Sequence, residues 1–172
     1  MTNGLPFCVA MVMKDVKFPL TAAVHLLRKQ GVELIPRLYK YEEKGGTTVS
    51  SRELGVNEEN VVKTLVMEDE KKNPMIVLMH GNKKVSTKEL ARQIGAKTVA
   101  PCAPEVADRH SGYQVGGTSP FGTKKTMPIY AERTIANLDR IFINGGSKGF
   151  LIEISPHDLE RVLMPTWVDV AI

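Results

Sequence analysis

The sequence predicts a single α+β domain, and three observations carry that expectation. Short runs of β-branched and apolar residues alternate with short amphipathic runs. Most of the amphipathic runs open on Ser, Asn or Pro and close on Gly. The alternation lacks the regular spacing of a βαβ repeat, which favours a mixed sheet over a doubly wound one. At 172 residues and 42% hydrophobic, the chain has the size and composition of one core.

Each element has its own local reason. Residues 19–30 predict a helix, with Leu20, Ala23, Val24 and Leu27 on one face and Gly31 as the stop. Residues 33–41 predict a strand, and Pro36 inside it argues for an edge or a bulge. Residues 44–48 read as a loop. Ser50 to Glu53 reads as a capping box opening a short helix that ends at Gly55, and Asn57 as the cap of a further helical turn. Residues 62–68 and 75–80 predict a hairpin, the charged stretch between them forming the turn. Ser86 to Glu89 repeats the capping box, so residues 86–94 should be a helix closed by Gly95. A short helix is expected over 104–110, a strand over 113–115, a glycine loop, and an extended segment over 127–130. Strands are then expected at 141–143 and 151–154 around a second glycine loop, 144–149. Ser155-Pro156 should start a helix running to 163, and 167–171 a last strand.

Composition excludes several classes. Charged residues make up 24%, too few with this apolar content for a disordered chain. The net charge of +4 leaves room for an anionic partner such as RNA or a phosphorylated ligand. Cys8 and Cys102 are far apart, and His25, His80, His110 and His157 are scattered, so neither a disulfide framework nor a metal site is expected, and no cofactor. The apolar run 5–13 is shorter than the ~20 residues needed to span a bilayer. No basic residue precedes it, unlike a signal peptide. Residues 1–18 therefore read as an extension ahead of a domain at 19–172, and a cytoplasmic location is expected.

The chemistry concentrates in GYQVGGTSPFGTKK, residues 112–125. A phosphate loop nearly fits, but Thr123-Lys124 stands where Lys-Ser/Thr is required. Pro120 also removes an amide, and the segment that follows is extended rather than helical. A nucleophile elbow around Ser119 fails by one residue of spacing. A backbone-led site remains: the loops at 116–120 and 145–149 could aim N–H groups at one developing oxyanion, or could simply be tight connections. Lys63, in VVKTLV, is either a solvent-facing strand residue or a cation in a cleft. Lys83-Lys84 and Lys124-Lys125 are solvated pairs that could steer RNA, and Tyr39 and Tyr41 either pack or stack on a base.

In order, VVKTLV, IGAK (94–97), the 112–125 loop and INGGSKGFLIEI resemble the YbaK/EbsC family. That family is similar to the editing domain inserted in bacterial prolyl-tRNA synthetases. The resemblance covers about residues 19–171. It implies an α+β domain on a mixed, partly barrel-like sheet. It also implies a free-standing deacylase that removes cysteine or alanine from proline tRNA without a Ser, Cys or His nucleophile. The partners it implies are a mischarged tRNA and a synthetase. It matches Lys63 to a functional lysine near the 3′-terminal adenosine. Gly116, Gly117, Thr118, Ser119 and Pro120 match a G-x-x-x-P loop, Gly145 and Gly146 the second loop, and Tyr41 a pocket tyrosine. On this resemblance Lys63, Gly116, Gly117 and Gly146 are the catalytic candidates, and Tyr41, Thr118, Ser119, Pro120, Asn144, Gly145 and Leu151 line the substrate. Two positions depart from the pattern: Leu151 stands where the family has Asp, and Asn144 where Ser is common. A leucine cannot balance an ammonium group, so the amino-acid preference becomes an open point.

Overall fold

The computed structural model describes residues 17–172; the apolar run 5–13 and Cys8 lie outside the described residues. Among the described residues, five helices surround one mixed eight-stranded sheet, the α+β architecture expected. Helix α1 (Ala22–Lys29) is followed by β1 (Ile35–Leu38), α2 (Gly46–Leu54), β2 (Val61–Asp69) and β3 (Pro74–His80). Then come α3 (Thr87–Ile94), β4 (Val99–Pro101), α4 (Pro104–Ser111), β5 (Ile129–Glu132), β6 (Ile141–Ser147), β7 (Phe150–Ile154), α5 (Pro156–Leu163) and β8 (Thr166–Val168).

The sheet runs β1-β7-β6-β2-β3-β5-β8. β2 and β3 form the expected antiparallel hairpin. β1 is an edge strand, where the missing amide of Pro36 costs little. The other edge of β2 is divided. β6 runs parallel to it only at Val61–Val62, and β4 pairs antiparallel with Met67–Asp69. Between these contacts, at residues 63–65, the β2 edge has no ladder partner on that side among the described residues.

One face of the sheet carries the main core, with Leu27, Phe121, Phe150, Ile141, Ile143 and Ile152 buried against α1 and the loops. Phe18 packs on this core, its ring 5.7 Å from that of Phe150. A second core, around Met67, Met79 and Leu90, lies under α3.

Local capping worked where it was local. Ser86 accepts from the Glu89 amide and Gly95 closes α3 at φ 76; Ser155 caps α5. Helix α2 starts earlier than expected, at Gly46, and Ser50 lies inside it, bonding back to the Thr47 carbonyl. The cause is tertiary. The Thr47 hydroxyl bonds Glu58 and the Gly81 carbonyl, which winds residues 46–49 into the helix. Residues 113–115 form no strand. Tyr113 is drawn inward, its backbone bracketed by the Ser111 hydroxyl, while the Val115 amide bonds Asp108. The last strand is shorter than expected, with only an isolated bridge from Ala171 to Val85 beyond it. Among the described residues, no helix is long and apolar enough to cross a membrane.

Candidate active site

The first glycine loop is a closed Ω-type loop. The Lys124 and Lys125 amides bond the Ser111 and His110 carbonyls, so its ends meet. Phe121 is its anchor, fully buried in the main core. The Tyr113 hydroxyl donates to the Phe121 carbonyl at 2.6 Å, and burial pushes that phenol up to about 12. Gln114, Val115 and Gly116 form the exposed rim, whereas residues 117–121 are buried. Thr118, Ser119 and Pro120 therefore face inward. The Ser119 hydroxyl accepts from the Phe121 amide, and Thr118 bonds the Gln114 carbonyl.

The second loop is built differently. β6 does not stop at Ile143 but continues to Ser147, with a bulge that slips register between the Asn144–Leu151 and Ser147–Phe150 pairs. The extra residues are Gly145 and Gly146. A β-carbon on Gly145 would overlap the Phe150 ring, and one on Gly146 would lie 2.6 Å from Tyr113. Gly146 also holds φ 99. Both positions therefore require glycine for packing and one for backbone conformation as well.

The two loops touch backbone to backbone. A β-carbon on Gly117 would lie 2.8 Å from the Lys148 amide nitrogen, and one on Gly116 would lie 2.5 Å from the Tyr41 hydroxyl. Asn144 stitches them. Its Oδ1 accepts from the Gly146 amide at 2.7 Å, and its Nδ2 donates to the Gly116 carbonyl at 3.3 Å. The Thr21 hydroxyl donates to the Gly145 carbonyl while capping α1, so the helix is docked on the bulge. Sequence reasoning missed Thr21, although a threonine just ahead of Ala-Ala-Val is a recognisable cap. At the seam lies a cavity of about 290 Å³, lined by Gly112, Tyr113, Gln114, Gly117, Gly146, Ser147 and Lys148.

The structure thus brings together Tyr41, Gly116, Gly117, Asn144, Gly145 and Gly146. Two of the candidate donors are engaged internally: the Gly117 amide bonds the Gln114 carbonyl, and the Gly146 amide bonds Asn144.

Lys63 stands apart. Its strand is the neighbour of β6, and the parallel register at Val62–Ile143, carried one residue further, puts Lys63 level with Asn144. Its ammonium turns the other way, to the Lys83 carbonyl. Half-burial lowers its pKa; Glu58 opposes that shift and Lys84 adds to it. Leu151, opposite Asn144, is sealed in a small apolar cluster with Val61 and Phe142, against which Tyr39, Leu54 and Val56 pack. Burial and the Glu68 carboxylate push the Cys102 thiol up to about 11, which disfavours the thiolate at neutral pH.

A family model described as an aminoacyl-tRNA editing domain matches residues 43–162. The chain is 32% identical over 103 residues to the Enterococcus faecalis protein named "Putative Cys-tRNA(Pro)/Cys-tRNA(Cys) deacylase EbsC", covering 60% of this chain and 63% of that protein. It is 34% identical over 132 residues to a proline–tRNA ligase of Thermodesulfovibrio yellowstonii, covering 73% of this chain but 23% of the ligase. The match therefore spans less than two thirds of either relative. A solved structure described as "a putative trans-editing enzyme for prolyl tRNA synthetase" shares the fold, with a TM-score of 0.78 at 19% identity, over 91% of this chain and 99% of that one. The ordered motifs, the mixed sheet and the family match over most of the chain agree: the protein belongs to the aminoacyl-tRNA editing domain family.

Proposed function

We propose that the protein is a trans-acting deacylase that clears mischarged tRNA in the cytoplasm, with cysteine on proline tRNA as its preferred substrate. The observation that carries this reading is the seam where the two glycine loops meet beside a cavity and Tyr41. An aminoacyl ester is already activated, so a site built from backbone can suffice.

In this reading the ester carbonyl lies over the rim at Gly116, whose amide faces the developing oxyanion. Gly117 and Gly146 contribute close backbone approach, and their engaged amides hold the loops in shape. The cysteinyl sulfur bonds to the carbonyl carbon, the bond from that carbon to the ribose oxygen breaks, and the thiol proton ends on the departing oxygen. The products are a thiolactone and free tRNA. For a substrate without a thiol, water takes the same place and yields the free amino acid. Tyr41 and Asn144 border the substrate, Thr118, Ser119 and Pro120 support the loop from within, and Lys63 reaches the terminal adenosine only after leaving the Lys83 carbonyl. A synthetase that presents the tRNA is a compatible partner.

The test is release of amino acid from a panel of mischarged tRNAs. The intact protein should turn over cysteinyl-tRNA(Pro) fastest, and Lys63→Ala should slow it at least tenfold. No turnover of any panel member would overturn the reading. A second reading, a tRNA-binding module of the same fold without activity, is favoured by the sealed Leu151 and the engaged Gly117 and Gly146 amides. Binding of tRNA without ester loss would select it.

A further inference from the structure

The cation at the glycine-loop cavity is Lys148, which lies in the second glycine loop but is not among the residues the resemblance matches. It lines the cavity, and its backbone is the surface on which Gly117 packs. Its Nζ lies 5.2 Å from the centre of the Tyr41 ring and 2.9 Å from the Glu43 carboxylate. The carboxylate is 73% exposed and the lysine side chain 35%. Such a pair is worth little in water, and an incoming anion can displace the carboxylate. The lysine itself is less free to move, because its ammonium sits over the Tyr41 ring and its Cε lies against the Gly116 rim. Lys63, by contrast, is bound to a backbone carbonyl.

We propose that Lys148 receives a backbone phosphate of the tRNA 3′ end at the mouth of the glycine-loop cavity, and that Glu43 is the anion this phosphate displaces. The inference rests on the deacylase reading only for the identity of the RNA; the contact itself is a binding event. Tyr41 fixes where the ammonium waits, and the cavity beside it takes the terminal aminoacyl group. Charge exchange at one lysine then sets the register of the RNA end against the two loops. A lysine suits this role because it acts as a point charge on a phosphate.

The test is binding of uncharged tRNA(Pro), and of an RNA hairpin ending in single-stranded CCA, across a salt series. Uncharged RNA needs no turnover, so the result stands whether or not the protein is a deacylase. Lys148→Met should weaken binding about tenfold and reduce the slope of log affinity against log salt by about 0.7, the value for one single-strand phosphate contact. Lys148→Arg should keep the slope. Glu43→Gln should tighten binding about two- to fivefold at low salt, because it removes the competing anion. A Lys148→Met variant with the wild-type slope would overturn the proposal, as would a Glu43→Gln variant that binds more weakly. Loss of affinity at unchanged slope would mark Lys148 as a packing residue only. If Lys148→Met fails to fold, the Glu43→Gln and Lys148→Arg results decide alone.

Discussion

The glycine-loop corner and the β2 edge at Lys63 are neighbours in the sheet, yet they are built in opposite ways. In the corner, backbone packs on backbone and on aromatic rings, so tightly that β-carbons on Gly117, Gly145 and Gly146 have no room. At the β2 edge, β6 has departed and β4 has not yet arrived. Lys63 is half-buried there, and the Thr64 hydroxyl is buried without a hydrogen-bond partner among the described residues. One region is shaped in advance, and the other keeps unfilled polar capacity. A site that relies on positioned backbone needs the first, because donors that must reorganise during the reaction contribute little.

Three substitutions sharpen the contrast, from the largest effect to the smallest. Gly145→Ala forces a methyl into the fully buried Phe150 ring, and overpacking of this kind should cost about 1–3 kcal/mol, read as a lower denaturation midpoint. A wild-type midpoint would show that the corner can yield. Thr64→Val should leave stability unchanged or raise it by up to about 1 kcal/mol, since it removes a buried hydroxyl that has no partner. A clear loss would mean the hydroxyl is in fact bonded.

The third concerns pH. Burial lowers the Lys63 pKa in the folded state, so the unfolded chain binds its proton more tightly. The resulting penalty is fully present below the folded pKa and fades as pH rises towards the unfolded value of about 10.4. Lys63→Met should therefore gain stability relative to wild type at neutral pH, and the gain should shrink in alkaline solution. A difference that does not change with pH would remove burial of the charge as its cause.

What could be read in advance follows the range of the causes. The caps at Ser86 and Ser155 and the β2–β3 hairpin depend on residues within a few positions, and each formed as its sequence signals. The start of α2 depended on Thr47 meeting Glu58 and Gly81, which no local pattern announces. β4, only three residues long, exists because β2 offers it an open edge. The site shows the same division. Its glycines were visible as composition, but the reason for them, Phe150 and Tyr113 lying against the bulge, was not. Lys148 lies inside the second glycine loop, but nothing in the sequence singles it out, because its setting comes from Glu43, 105 residues away in sequence. Lys63, the most recognisable residue of the motif, is turned away from the cavity.

The central claim is that the seam between the two glycine loops is where the ester is cleaved. Its most direct test is single-turnover cleavage of cysteinyl-tRNA(Pro) by Gly116→Ala at saturating protein, with the denaturation midpoint measured alongside. Gly116 lies on the exposed rim at φ 95, so the substitution disturbs the rim and the approach of Tyr41 more than the core. The account predicts a rate about a hundredfold below wild type, because alanine keeps the amide but its β-carbon is strained at φ 95 and meets Tyr41, moving the donor out of line, with tRNA binding retained. A folded Gly116→Ala protein that cleaves at the wild-type rate would contradict it.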